Sequence, residues 1–167
     1  MLRSFPPVAG KHPKILILGS MPSKTSLQKN EYYGYPRNHF WPVMFALLKR
    51  PPTPDYAEKT GLLKKSGIAL WDVLKSCERD SSLDKDIQNE TTNDIPGFID
   101  DHPSLQLVVL NGQKAYHIYR KHFRGNIDLP YVKMPSTSPV PRKHYRCFKD
   151  IYDAWRVLTA YIEEKER

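Results

Sequence analysis

Residues 14–23 read Lys-Ile-Leu-Ile-Leu-Gly-Ser-Met-Pro-Ser, an apolar run that stops at a turn of small residues. A short continuous apolar run that ends in Gly-Ser is typical of a buried strand. Two more runs of this kind lie at residues 67–73 and 105–110, and a brief strand is predicted at residues 131–134. Segments in which apolar residues recur at helical spacing separate these runs.

Alternating strands and helices predict a parallel sheet that is covered on both faces. We therefore expect an α/β fold, a three-layer α/β/α sandwich around a central, mostly parallel four-stranded sheet. A chain of 167 residues favours one domain over residues 1–167, with an extended N-terminal segment at residues 1–12. Loops are predicted at residues 20–37 and 77–92. The predicted helices cover residues 40–48, 55–65, 95–101, 113–123 and 143–164.

The chain is basic, with a net charge of +8 and a pI of about 9.4. A basic excess favours a polyanionic partner, above all nucleic acid, although a solvated lysine-rich surface is an open alternative. Two cysteines, Cys77 and Cys147, are too few for a disulfide framework or a cysteine-based metal site. No apolar run is long enough to span a membrane, and no signal peptide is seen. We expect a cytoplasmic protein, nucleoid-associated in a prokaryote, without metal or cofactor.

Ligands of parallel α/β sheets bind beyond the carboxyl ends of the strands. The loops at those ends begin at Gly19, at Asp72, at Asn111 and at Pro135. The sequence thus predicts that two unusual segments, an aromatic loop after the first strand and a late Ser/Thr/Pro loop, meet at one edge of the sheet.

The aromatic loop, residues 32–41, reads Tyr-Tyr-Gly-Tyr-Pro-Arg-Asn-His-Phe-Trp. Its tyrosines are able to stack on a nucleobase, or to fill the space beneath the loop. Asn38 is either a helix cap or an amide that orients a water molecule or grips a base. Proline prefers the first helical position, so Pro42 places the cap near Trp41 and leaves the side chain of Asn38 free.

The late loop, residues 135–144, combines Pro-Ser-Thr-Ser-Pro with Val-Pro-Arg-Lys-His. Hydroxyls, backbone N–H groups, lysine and arginine are the usual contacts to phosphate, and an apolar tip is able to wedge into a groove. A tight turn into the last helix is the alternative. A hydrolase triad of Ser20 or Ser136, His39 or His144, and Asp72 lacks the G-x-S-x-G elbow of such enzymes.

Together these elements resemble the uracil-DNA glycosylase superfamily. The turn at residues 19–22, Tyr33, the Pro-Arg-Asn-His-Phe-Trp segment at residues 36–41 and the Pro-Ser-Thr-Ser-Pro segment at residues 135–139 match its motifs in order and spacing. The closest similarity is to the hypoxanthine (deoxyinosine) DNA glycosylase branch. Met21 and Met134 replace polar residues that are common in other branches, which makes Asn38 the important amide.

The resemblance implies a monofunctional DNA glycosylase of base excision repair. Such an enzyme extrudes a deaminated base, hypoxanthine or uracil, and hydrolyses its N-glycosidic bond to leave an abasic site. Asn38 is the implied catalytic residue. The implied base-binding residues are Ser20, Met21, Tyr33 and Asn111, and the implied DNA-binding residues are Ser136, Thr137, Ser138, Pro139, Val140, Arg142 and Lys143.

Rival functions stay open at this point. One is a uracil-preferring or G/U mismatch-specific glycosylase, and another, of a different class, is a nucleic-acid-binding module without catalysis. A third is an α/β hydrolase that acts on a small substrate. The expected partner is DNA that contains deaminated bases, with no membrane, and we expect a monomer.

Overall fold

A computed structural model describes residues 1–162. In chain order, the strands are β1 (Leu2–Arg3), β2 (Ile15–Gly19), β3 (Ile68–Asp72), β4 (Leu74–Glu78), β5 (Gln88–Thr92), β6 (Leu107–Asn111) and β7 (Tyr131–Met134). The α-helices are α1 (Lys24–Lys29), α2 (Phe40–Leu48), α3 (Tyr56–Lys65), α4 (Ile95–Asp101), α5 (Gln113–Phe123), α6 (Phe148–Trp155) and α7 (Thr159–Ile162). Short 3₁₀ turns lie at Asp84–Asp86 and Arg156–Leu158.

The central sheet has the strand order β3-β2-β6-β7, and every neighbouring pair is parallel. Successive side chains of a strand point to opposite faces. Ile15 and Ile17 of β2 accordingly pack in one apolar cluster with α2 and α6, whereas Leu16 and Leu18 pack in a second cluster with α4 and α5. Both faces of the sheet are therefore buried, and the predicted three-layer α/β/α fold is confirmed.

A small antiparallel sheet, with the order β1-β4-β5, was not predicted. The expectation of a loop over residues 77–92 is wrong, because β4 ends and β5 lies within it. Strand β5 reads Gln-Asn-Glu-Thr-Thr and buries none of its side chains. Its pairing rests on backbone hydrogen bonds, which leave little trace in the pattern of apolar residues.

The predicted loop at residues 20–37 is also wrong in part, because it contains α1. This helix is capped by Ser23, whose Oγ accepts a hydrogen bond from the backbone N–H of Ser26, and it ends at Asn30 in a left-handed conformation. A polar helix of six residues has no apolar stripe by which to recognise it.

The last predicted helix begins later than expected, at Phe148. Residues 142–145 instead form a bridge between the backbones of Arg142 and Tyr145. The helical segment then continues through a 3₁₀ turn to Ile162, and predicted positions 163 and 164 lie outside the described residues. The other predicted helices and strands of the central sheet are found within two residues of their expected bounds.

The N-terminal segment pairs with the rest of the chain. Leu2 and Arg3 pair with β4, and Val8 forms a bridge to Leu70 of β3. Within residues 1–162, no helix combines the length and the apolar character that a membrane span requires.

Candidate active site

A cavity of about 450 Å³ opens at the carboxyl ends of β2, β3 and β6. The turn after β2, the aromatic loop and the late loop all contribute to its wall, so the segments that were expected to meet do meet. The predicted site residues in the wall are Ser20, Met21, Tyr33, Asn38, Asn111, Ser136, Thr137, Ser138, Pro139 and Val140. Arg142 and Lys143 lie beyond the wall, further along the late loop.

Tyr33 is held as a rigid platform in this wall. Its ring stacks on Phe40, with the centroids 4.1 Å apart and an angle of 18° between the planes. Its backbone has a φ of 52°, a left-handed conformation that costs a residue other than glycine roughly 1–2 kcal/mol. Packing against Phe40 at the start of α2 helps to maintain this strained geometry, which is common at functional sites.

The amide of Asn111 links the aromatic loop to the late loop. Its Nδ2 donates to the hydroxyl oxygen of Tyr33 at 3.0 Å and to Oγ1 of Thr137 at 3.1 Å, while its Oδ1 accepts from the backbone N–H of Thr137 at 3.0 Å. Three of the four hydrogen bonds available to an amide are thus used. The predicted contact between Asn111 and a base stays a prediction, and in this arrangement it would use the remaining lone pair of Oδ1.

Two glycines allow the close approach of these segments. Gly112 has a φ of 98°, and a Cβ at this position would lie 3.0 Å from Cβ of Ser136. At Gly19, a Cβ would lie 2.6 Å from Oδ1 of Asp72 and 2.8 Å from the hydroxyl of Tyr33. A side chain at either glycine would therefore push the walls of the cavity apart.

Asn38 lies just before α2 and is partly buried. Its Oδ1 accepts a hydrogen bond of 2.9 Å from the backbone N–H of Phe40, the first residue of the helix. The expectation that Pro42 moves the cap towards Trp41 and leaves Asn38 free is wrong, because α2 begins two residues before Pro42. The bond fixes the orientation of the amide, and the second lone pair of Oδ1 is available to a water molecule.

The first half of the late loop is fixed in place from three directions. Besides the bonds to Asn111, the indole N–H of Trp155 donates to the carbonyl of Pro135 at 2.9 Å, and the backbone N–H of His39 donates to the carbonyl of Thr137 at 2.9 Å. Thr137 is only 1% exposed. This half of the loop is consequently part of the rigid wall.

The second half of the late loop faces solvent. Val140 is 53% exposed, and Lys143 is exposed. Arg142 is partly buried, with its Nη2 donating to the carbonyl of Ser136 at 2.7 Å. Burial, and then the nearby charge of Arg142, lowers the pKa of His39.

The turn after β2 presents its backbone to the cavity, because Met21 packs into the core beneath it. The segment between β4 and β5 holds this turn from outside. Ser20 Oγ donates to Oδ1 of Asp84 at 2.6 Å, and Nη2 of Arg79 donates to the carbonyl of Pro22 at 2.5 Å. The small antiparallel sheet thus positions one wall of the site.

Several wall residues were not among the predicted site residues, and they include Asp72, Ser82, Leu83 and Asp84. Asp72 carried a usable signal, because it directly follows an apolar strand whose end was expected at the site. The other three lie in a polar segment that was interpreted as a loop. No pattern in that segment indicates that it folds back onto the first turn.

Asp72 is an unusual carboxylic acid, since it is only 3% exposed. Burial, reinforced by the negative charge of Asp84, raises its pKa to about 7, while Arg79 acts in the opposite direction. Burial also raises the pKa of Asp84, and the hydrogen bond from Ser20 opposes that rise. Asp84 is an exposed residue that lines the cavity, and its Oδ1 accepts the hydrogen bond from Ser20.

No group of three or more His, Cys, Asp or Glu side chains within residues 1–162 is arranged to hold a metal ion. The polar groups of the cavity are amides, hydroxyls, backbone groups and two carboxyls. Such a set suits an uncharged, planar ligand with donors and acceptors at its edge.

Comparison with known proteins agrees with this chemistry. The family model of the uracil DNA glycosylase superfamily matches residues 6–158. A hypoxanthine DNA glycosylase of Methanosarcina acetivorans is 41% identical over 142 residues, which are 84% of this chain and 89% of that protein. A hypoxanthine DNA glycosylase of Methanosarcina barkeri is 37% identical over 114 residues, or 68% of this chain and 72% of the relative.

A solved structure is also similar. It is a solution NMR structure of a Methanosarcina acetivorans protein provisionally assigned as a uracil DNA glycosylase. Its TM-score to this chain is 0.83 at 34% sequence identity, with 96% of this chain and 98% of that chain covered.

Proposed function

The chain belongs to the uracil DNA glycosylase superfamily, and we propose that it releases hypoxanthine, and also uracil, from DNA. It is a monofunctional DNA glycosylase that acts on deaminated bases, an N-glycosyl hydrolase of DNA repair. One observation carries the assignment to the residues of this chain: a single cavity collects the ring of Tyr33, the amide of Asn38 and the backbone of the turn after β2.

The base is taken out of the duplex before the reaction, as glycosylases require. It enters the cavity and stacks on the ring of Tyr33, which is already braced by Phe40 from behind. Base–aromatic stacking contributes roughly 1–3 kcal/mol. Backbone groups of Ser20 and Met21, with the remaining lone pair of Asn111, contact the edge of the base.

Asn38 holds the attacking water at the anomeric carbon. Its Oδ1 is oriented by the N–H of Phe40, so the amide does not have to reorganise when the reaction begins. An amide is a weak base, so its contribution is one of positioning. The departing base is an incipient anion, and N–H groups of the turn after β2 stabilise it by fixed dipoles.

The late loop carries the phosphate contacts. The hydroxyls of Ser136 and Ser138 in the cavity wall, with the positive charges of Arg142 and Lys143 further along the same loop, contact the phosphates. Val140 is exposed at the rim and apolar, which suits insertion into the gap that the extruded base leaves.

We further propose that the protein acts as a monomer in the cytoplasm, at the nucleoid if the source is a prokaryote. The free thiols of Cys77 and Cys147 and the strong positive charge are consistent with an intracellular DNA-binding enzyme.

A base-release panel tests this function. Duplexes that carry hypoxanthine, uracil, xanthine or a thymine mismatch are incubated with the protein under single-turnover conditions, and abasic sites are counted. We expect hypoxanthine to be released fastest and Asn38→Ala to lose most of the release. A protein that binds each duplex in a salt-dependent manner but releases no base would instead be a binding module.

The same panel decides between the two glycosylase preferences. Uracil release that exceeds hypoxanthine release at equal enzyme concentration would identify a uracil-preferring enzyme. Met21 and Met134 argue against that outcome, because neither offers a polar side chain to a uracil carbonyl.

A further inference from the structure

Asp72 is a buried carboxylic acid to which the proposed reaction assigns no role. It is the last residue of β3, in register with Gly19 of β2, and its Oδ2 is fully buried. Within residues 1–162, that oxygen has no hydrogen-bond partner. Buried carboxyl groups are costly unless they are paired or neutral, so an unpartnered one calls for a physical reason.

The carboxyl of Asp72 lies beside Tyr33, the residue proposed to stack on the base. A Cβ at Gly19 would lie 2.6 Å from Oδ1 of Asp72 and 2.8 Å from the hydroxyl oxygen of Tyr33, so both groups lie beside the same backbone position. Asp72 also lines the same cavity as Tyr33 and Asn38. A base stacked on Tyr33 would therefore have its edge within reach of Asp72.

The charged and titratable groups around Asp72 favour its neutral form. Asp84, from the segment between β4 and β5, contributes a negative charge, which opposes ionisation of Asp72. The positive charge of Arg79, whose Nη2 donates to the carbonyl of Pro22, opposes that effect. The other groups that act on this pair are Tyr32 and Tyr33 of the aromatic loop, Tyr56 of α3 and Lys114 of α5.

The second carboxyl of the cavity wall, that of Asp84, already accepts a hydrogen bond from the hydroxyl of Ser20. Met21 is apolar, and the side chain of Asn111 is already bonded to Tyr33 and Thr137. Enzymes that expel a poor leaving group commonly tune a carboxylic acid towards neutral pH for this purpose.

We propose that Asp72 is the catalytic acid, whose protonated carboxyl hydrogen-bonds to an acceptor atom of the extruded base and transfers its proton as the glycosidic bond breaks. This proposal rests on the glycosylase function above. The electron pair of the C1′–N bond passes to the base, and the proton of Asp72 neutralises it. The water held by Asn38 adds to C1′, and its surplus proton returns to the Asp72 carboxylate or leaves to solvent.

The experiment is a pH profile of single-turnover hypoxanthine release between pH 5.5 and 8.5. For the wild-type protein we expect the rate to fall above about pH 7 and to approach a tenfold loss per pH unit. Asp72→Asn keeps the shape of the side chain but has no acidic proton. We expect it to be about 100-fold slower at pH 6, within the range for loss of a general acid, and independent of pH.

The matched control is Asp80→Asn, which removes an exposed carboxylate from the neighbouring segment. It should reproduce the wild-type rate and profile. Thermal unfolding and DNA affinity of Asp72→Asn are measured alongside, and a folded, DNA-binding variant with a flat profile supports the proposal. A wild-type rate with a wild-type profile in Asp72→Asn would overturn it.

Asp84→Asn provides a second measurement that does not depend on the stability of the Asp72 variant. Loss of the neighbouring charge should move the descending limb of the profile to lower pH, and a limb that stays in place would contradict the assignment to Asp72. Wild-type protein that releases neither hypoxanthine nor uracil would overturn the proposed function itself. Release by the wild-type protein with no effect of Asp72→Asn would overturn only this inference.

Discussion

The two sides of the cavity differ in how firmly they are held. The inner wall consists of Gly19, Tyr33, Asn38, Asp72 and Asn111. Sheet pairing holds Gly19 beside Asp72, Phe40 contacts both Tyr33 and Asn38, and a hydrogen bond joins Asn111 to the distant Tyr33. The outer rim, residues 139–147, is largely exposed and is held mainly by bonds within the late loop.

This difference separates two tasks. Groups that take part in bond breaking must be held close to the productive geometry, and the contacts of the inner wall suit the roles proposed for its residues. Groups that follow a phosphate backbone do so through charge and adjustable side chains, which suits an exposed rim. Changes in the inner wall should therefore alter the rate of base release, and changes in the outer rim should alter DNA affinity.

The largest effect is expected for Asn38→Ala. Single-turnover release should fall by about 10²–10³-fold, because removal of a preorganised polar group at a reacting centre has effects of that size. DNA affinity, measured by fluorescence anisotropy, should remain close to wild type.

Asn126→Ala is the matched control, since Asn126 is exposed beyond the end of α5. It should change neither quantity. Release by Asn38→Ala within threefold of the wild-type rate would show that Asn38 is not catalytic, and it would contradict the division of roles between the inner wall and the outer rim.

The next effect concerns the stability of the inner wall. The pKa of Asp72 is raised in the folded state to about 7, so the folded protein binds the proton more tightly than the unfolded chain. The free energy of unfolding should fall as pH rises from about 4 to 7 and stay low above pH 7. Asp72→Asn removes that penalty, so it should be more stable than wild type at pH 8, by roughly 4 kcal/mol.

Urea unfolding at pH 8 and at the lowest pH that keeps the protein folded measures this difference. The gain should shrink towards acidic pH, where the wild-type carboxyl is neutral in both states. Asp80→Asn should show no gain at either pH, because its carboxylate is exposed. An Asp72→Asn protein that is less stable than wild type at pH 8 would indicate that the carboxylate has a favourable role in the fold.

A smaller effect, on binding of the extruded base, is expected for Tyr33. Tyr33→Leu removes the aromatic face, and loss of roughly 1–3 kcal/mol of stacking should weaken productive binding of the extruded base by about 5- to 150-fold. The dependence of the single-turnover rate on enzyme concentration measures this loss.

Tyr33→Phe is the control for the ring, because it retains the aromatic face and removes only the hydroxyl that accepts from Asn111. Its productive binding of the extruded base should be intermediate between that of the wild type and that of Tyr33→Leu. Equal behaviour of the Leu and Phe variants would show that the hydroxyl, and not the ring, is the important group.

The smallest effect is expected at the outer rim. Lys143→Ala should reduce the slope of log affinity against log salt concentration by about 1, as loss of one phosphate contact does. The release rate at saturating protein should not change. Lys11→Ala, an exposed lysine before β2 at the opposite edge of the sheet, should leave the slope unaltered, and a rate defect in Lys143→Ala would place the rim in the catalytic machinery.

Much of the site was predictable because its parts follow apolar strands. Asn111 ends the strand at residues 107–111, Tyr33 lies in the loop after the first central strand, and the late loop follows the edge strand. Parallel strands bring such positions together without further information. The wall residues around Asp84 were not predictable, because polar strands that pair through their backbones have no distinctive pattern of side chains.

The role of Asn38 shows the same limit at the scale of one residue. Sequence reasoning named the amide as a candidate, but placed the cap of α2 too late because it gave Pro42 the first helical position. Only the folded chain shows that Asn38 bonds to Phe40 and that the helix begins there.

The sequence by itself determined the parallel sheet and the edge at which the cavity forms, and it named the proposed stacking and amide residues, because apolar periodicity and motif spacing are local properties of the chain. The tertiary structure decided which groups are buried together: the carboxyl of Asp72 beside Tyr33, the bonds of Asn111 and the support of the first turn by Arg79 and Asp84. The reason is that burial and electrostatic interaction depend on distances between segments that are far apart in the chain.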